Sequence, residues 1–175
     1  MNQPTQMSES DRLSLVVEIW KKTVEVQQHF NDIELRIRNI AVTVLVGAFG
    51  AVAFSMKEAL TITFFGIEVL AGKLIIIAAL IAWLAFYFMD RFWYHRLLKG
   101  AVNLGIKIEK ANRHLLPEID LSSEIAQTSP VDVFGYTLHS DRKMDLFYLT
   151  FALILIVAAF ALGGPPTRPV VGPIF

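Results

Sequence analysis

The chain has 175 residues, 54% hydrophobic and 18% charged, and its 16 Lys and Arg balance its 16 Asp and Glu. A net charge of zero supplies no global basic field of the kind that draws proteins to nucleic acid. The absence of cysteine excludes disulfide staples, thiolate zinc sites and a cysteine nucleophile.

Residues 1–39 are polar and amphipathic. They lack the charged start and short apolar stretch of a cleavable signal peptide, so none is expected. Ser8, Ser10 or Asp11 can cap a helix starting near Arg12. From there no Gly or Pro interrupts the chain until Gly47. Apolar residues fall at Leu15, Ile19, Val26, Phe30, Ile33, Ile37, Ile40 and Val44, a heptad rhythm broken once at Lys22 and extended by Gly47, Ala51 and Phe54. This predicts one long helix carrying an apolar seam into the first uncharged segment. Val26, Phe30, Ile33, Ile37 and Val44 are the candidate contacts between copies of the chain. The alternative partner for the seam is the helix predicted at 97–116 of the same chain.

Three apolar runs follow, at 40–56, 74–89 and 146–164, and none holds a charged residue. A helix rises about 1.5 Å per residue, so roughly 20 residues cross a hydrocarbon core of about 30 Å. The third run meets that length alone. The first two borrow flanking residues, with Lys57 and Lys73 able to reach the interface. The fold expected is an all-α integral membrane protein with three transmembrane helices, the long N-terminal helix being continuous with the first. The segments are a cytoplasmic helix at 1–39, two spans with a short outer connector at 40–96, a cytoplasmic helical and loop region at 97–143, a third span at 144–164 and a Pro-rich outer tail at 165–175.

The connector alternates at Leu60–Phe64, breaks at Phe65-Gly66 and resumes at Ile67–Leu70, which reads as a hairpin or extended loop. A similar phrase occurs at Val131–His139. The second span ends in Asp90-Arg91-Phe92-Trp93-Tyr94-His95-Arg96, where aromatic and basic residues suit the headgroup region. An amphipathic helix over 97–116 stops at Pro117, and 118–130 reads as polar and turn-rich.

Chemical motifs are absent. There is no GxGxxG before a strand, no GxxxxGK[ST] and no HExxH. His29, His95, His114 and His139 are scattered and read as surface or interfacial residues. No ionisable residue sits deep in a span, which argues against a proton relay. No metal, cofactor or enzymatic activity is expected. Thr43, Gly47, Gly50 and Ala51 give the first span small and hydroxyl-bearing positions, so it is the span expected to line or border a pore. Arg91, Arg96, Lys99, Lys107, Lys110 and Arg113 suit either an anionic ligand or anionic lipid headgroups.

This sequence of parts resembles the small membrane effectors of bacterial antiphage defence. These are the two-span SLATT-like group and effectors coupled to nucleotidyltransferases, including the Hailong type. The resemblance covers residues 10–116 and is architectural, without a signature motif. The third span departs from the two-span pattern. The resemblance implies a homo-oligomeric ligand-gated channel or pore-forming effector of the inner membrane, answering a nucleotide or oligonucleotide signal from a partner nucleotidyltransferase. The alternative is a non-conducting membrane scaffold or accessory subunit.

Thirteen of the 16 basic residues lie in 1–39 and 90–145. The positive-inside bias therefore predicts a cytoplasmic N-terminus and an outward C-terminus. Reporter fusions after Ser10, within 118–128 and after Phe175 check this. Alkaline phosphatase activity at 118–128 would reverse the assignment.

Overall fold

The computed structural model describes residues 8–133 and 135–162. It is 79% helical, with three helices long and apolar enough to cross a membrane. The first helix, α1 (Glu9–Lys57), runs unbroken from the polar N-terminal region through the first apolar run. Ser8 begins it: its Oγ accepts the Asp11 N–H at 3.1 Å, filling one of the open donors of the first turn. Glu9 and Asp11 in that turn and Lys57 in the last complement the helix dipole.

Contacts divide the chain into two units. One holds Arg38–Tyr87 and the chain from Leu146 onward. Here β1 (Thr61–Phe64) and β2 (Ile67–Leu70) pair antiparallel, with Phe64 opposite Ile67. Phe65 and Gly66 both have positive φ, at 49° and 79°. That is the two-residue turn whose twist matches a hairpin. The hairpin delivers the chain into α2 (Ala71–Phe88).

The final helix, α5 (Ser140–Ala161), supplies the rest of this unit's core. Trp83 Nε1 donates to the Tyr148 carbonyl at 2.8 Å, and its rings lie 5.2–5.7 Å from Phe147, Tyr148 and Phe151. Around them Ala41, Leu45, Ile76, Ala79, Ala152 and Leu155 are buried. Small residues at these contacts let helices approach closely. The outward positions are also apolar, among them Val46, Ile81, Leu153 and Phe160. Only 22% of each spanning window is buried.

The other unit holds the N-terminal part of α1 through Ile37 together with Phe88–Asp145. A π-helical turn over Met89–Tyr94 leads into α3 (His95–Asn112). The α3 helix therefore ends four residues short of the expected 116. A short helix, α4 (Leu121–Thr128), occupies the stretch expected to be turns. Next, β3 (Val131–Val133) and β4 (Tyr136–Leu138) form a second hairpin, with Gly135 at φ 81°. Two similar phrases have thus each made a hairpin.

The face of α1 that turns inward here is its polar one. Thr23, Gln27 and Glu34 are buried, while Leu15, Ile19 and Val26 are 44–47% exposed. Gln27 Nε2 donates to the Ala101 carbonyl at 3.2 Å and to Ser122 Oγ at 3.1 Å. This tight meeting of α1, α3 and α4 is possible because position 105 is glycine. A Cβ there would collide with Ser122 Oγ and lie 2.6 Å from Gln27 Nε2.

Alanine normally stabilises a helix interior by about 0.5–1 kcal/mol over glycine. Gly105→Ala should instead destabilise by about 1–3 kcal/mol, since overpacking forces side chains apart. Gly100→Ala on the same helix, with open space around it, should stabilise. Thermal unfolding of the two variants checks the sign difference.

Candidate functional site

Polar chemistry concentrates in the unit built from the N-terminal part of α1, α3, α4 and the start of α5. Among its enclosed groups is the Glu109 carboxylate, 2% exposed. Oε1 accepts Trp20 Nε1 at 3.1 Å and the Ser122 N–H at 2.8 Å. Oε2 accepts the Ser123 N–H at 2.9 Å and Ser123 Oγ at 2.8 Å. Burial alone would raise the pKa of this carboxyl, but these donors outweigh it and hold it below the ordinary value. Glu109 thereby caps α4 from another helix. Asp120, at the N-cap position itself, makes no capping bond and faces Arg113 at 3.4 Å. A local reading of 118–130 could not find that helix, because its cap comes from 13 residues upstream.

A second cluster centres on His95, which is 4% exposed and not the surface residue expected. Its Nδ1 lies 3.1 Å from Glu34 Oε1, and its Nε2 is hydrogen-bonded to Asp141 Oδ1. A neutral imidazole donates from only one nitrogen, so two carboxylate partners favour the imidazolium. The hydrogen bond to Glu34 is the main cause raising the His95 pKa. Burial opposes it, and Asp141 adds to it. Lys99 Nζ reaches Asp141 Oδ2 at 2.9 Å. Arg91 Nε reaches Asp145 at 3.0 Å, with its Nη1 3.8 Å from Asp141. At Asp141, burial would raise the pKa, but the Lys99 and His95 hydrogen bonds prevail and lower it.

These pairings redistribute the six basic candidates. Arg91, Lys99 and Arg113 are engaged by Asp145, Asp141 and Asp120. Arg96, Lys107 and Lys110 are exposed. The expected basic patch is thus half consumed in holding helices together. Arg91 and Lys99, but none of the other four, line a cavity of about 970 Å³ in this unit.

The remaining candidates lie along α1. Val26 and Val44 are 44% and 41% exposed, Phe30 and Ile33 are half-buried, and Ile37 is buried. Beside Val26 and Phe30, the residues Leu15, Ile19, Leu97 and Leu104 line a shallow apolar groove of about 580 Å³. Thr43 is exposed, and its hydroxyl donates to the Asn39 carbonyl at 2.8 Å. Gly47, Gly50 and Ala51 are exposed, and a Cβ on either glycine would meet nothing within 4 Å. Among the described residues no group of His, Asp and Glu is arranged to hold a metal ion. No protein-family model, curated protein or solved structure matches the chain.

A histidine whose folded pKa is raised stabilises fully below its unfolded value and loses that contribution as pH climbs through the folded one. Stability of the wild type should therefore fall as pH rises above the ordinary 6.5. In His95→Gln that part of the decline should vanish. Thermal unfolding of both proteins in detergent between pH 6 and 9 checks this.

Proposed function

We propose that the chain is an integral membrane protein that works as a homo-oligomeric, ligand-gated channel or pore-forming effector. The carrying observation is the seam of α1: Leu15, Ile19, Val26, Ile40, Val44 and Phe54 are all at least 41% exposed along one helix, although within the same seam Phe30 and Ile33 are half-buried and Ile37 is buried in the chain itself. Where the seam lies among uncharged spans, lipid can cover it. Leu15, Ile19 and Val26 share their apolar groove with Phe30, Leu97 and Leu104, but its lining also includes Glu18 and Lys22, and lipid is no natural cover there. A second copy presenting the same stripe is.

Three helices cannot by themselves enclose a pore for hydrated ions, so conduction requires assembly. Open space around Gly47 and Gly50 lets neighbouring copies approach or shift at small cost. Without a charged ring in the spans, the closed gate would be hydrophobic and shut by dewetting, with weak ion selectivity. The resemblance to antiphage effectors supports an inner-membrane location, a partner nucleotidyltransferase and permeabilisation of the infected cell as the outcome.

The test combines native mass spectrometry with planar-bilayer recording. Wild type should be oligomeric in mild detergent and pass current when its signal is added or withdrawn. Val26→Asp should dissociate the assembly, because burying an unpaired charge in the seam costs well over about 2 kcal/mol. Gly47→Leu should alter conductance while leaving insertion intact. A monomeric wild type overturns the proposal. An intact oligomer that stays silent under both conditions makes the protein a scaffold.

A further inference from the structure

The cavity of about 970 Å³ lies at the upper end of the volumes of small-molecule sites, roughly 300–1,000 Å³. It has two kinds of wall. Leu98, Val102 and Ile106 of α3 and Leu121, Ile125 and Ala126 of α4 supply its apolar lining. The polar part carries the amides of Gln28, Asn31 and Asn103 and the guanidinium of Arg142.

The charges along its lining do not cancel. Its two carboxylates are both taken, Asp141 by His95 and Lys99 and Asp145 by Arg91. These pairs also satisfy Lys99 and Arg91. Arg142 remains: it is exposed and makes no ion pair among the described residues. His95 also lines the cavity, but it is held between Asp141 and Glu34; of the remaining cations Arg91, Lys99 and Arg142, only Arg142 has no carboxylate partner among the described residues. A polyanion would bring its further charges against Asp141 and Asp145. A single anionic group meets Arg142 without that repulsion, and a guanidinium binds phosphate or carboxylate oxygens through two parallel hydrogen bonds.

We propose that this cavity binds a small amphiphile bearing one anionic group. The phosphate or carboxylate sits at Arg142, its neighbouring polar atoms bond Asn31, Gln28 and Asn103, and its apolar body lies on Val102, Ile106 and Ile125. The ligand can come from the bilayer, as a phospholipid, or from solution, as a phosphodiester or carboxylate. Binding here does not depend on whether the assembly conducts.

The experiment uses the full chain in nanodiscs of zwitterionic phosphatidylcholine. Lysophosphatidylglycerol, its deacylated headgroup glycerophosphoglycerol and lysophosphatidylcholine are titrated by calorimetry, with stoichiometry from native mass spectrometry. Lysophosphatidylglycerol should bind once per chain, at least tenfold more tightly than lysophosphatidylcholine. Arg142→Gln should weaken it at least tenfold with an unchanged unfolding midpoint, and Arg142→Lys should restore part of the loss. Ala126→Trp, which fills the apolar part, should abolish binding. If glycerophosphoglycerol binds as tightly, the ligand is a soluble phosphodiester; if it fails to bind, the ligand is a lipid. Equal affinity for the zwitterionic lipid, or undiminished binding by a folded Arg142→Gln, overturns the proposal. So does the absence of binding by wild type.

Discussion

The carboxylate of Glu109 is the constraint on which the N-terminal helical unit depends. A buried carboxylate is tolerable only when its oxygens are hydrogen-bonded. Here four donors from α1 and α4 converge on it. In return it ends two local problems. The first-turn N–H groups of α4 find an acceptor, and the Trp20 indole of α1 finds a buried partner. Gly105, one turn earlier on α3, removes the side chain that would keep α4 and Gln27 away. Since α4 forms one wall of the large cavity, the cavity exists because this cap holds.

The two units answer opposite packing demands. In the apolar unit, every helix is hydrophobic on all sides, so small residues and one aromatic cluster decide which face turns inward. Trp83 satisfies its N–H on a backbone carbonyl, as a donor in an apolar surround must. In the polar unit, the inward face of α1 carries Thr23, Gln27 and Glu34, while the apolar Leu15, Ile19 and Val26 look out and Ile37 alone of the seam is buried. Hydrogen bonds and ion pairs hold this unit, and its apolar surface stays available. That inversion links the fold to the proposed assembly: the surface that would ordinarily form a core is the surface left for another copy.

The candidate site was partly legible in advance. Arg91 and Lys99 were marked by charge alone, and both reach the cavity. Their partners were not visible, because Asp141 and Asp145 lie more than 40 residues away along the chain. Arg142 was counted only for topology, although it is the cation left over. His95 carried no spacing signal. Its character comes from Glu34 and Asp141, which are 61 and 46 residues distant. The uncharged runs, by contrast, needed no partners to be recognised.

The sequence by itself determined what depends on neighbours within a turn or two. The long first helix, a cap among Ser8, Ser10 and Asp11, the three apolar helices and a chain reversal at Phe65-Gly66 follow from periodicity, local hydrogen bonding and the positive φ that glycine accepts; the structure selected Ser8 and made a hairpin of each similar phrase. The tertiary structure alone decided which face of α1 is buried, that 121–128 is a helix, and which charges are satisfied. Each of those outcomes turns on groups brought together from distant positions. A seam of apolar residues states that a face wants cover, but only the competing hydrogen bonds of Trp20, Gln27 and Glu34 decide which face receives it.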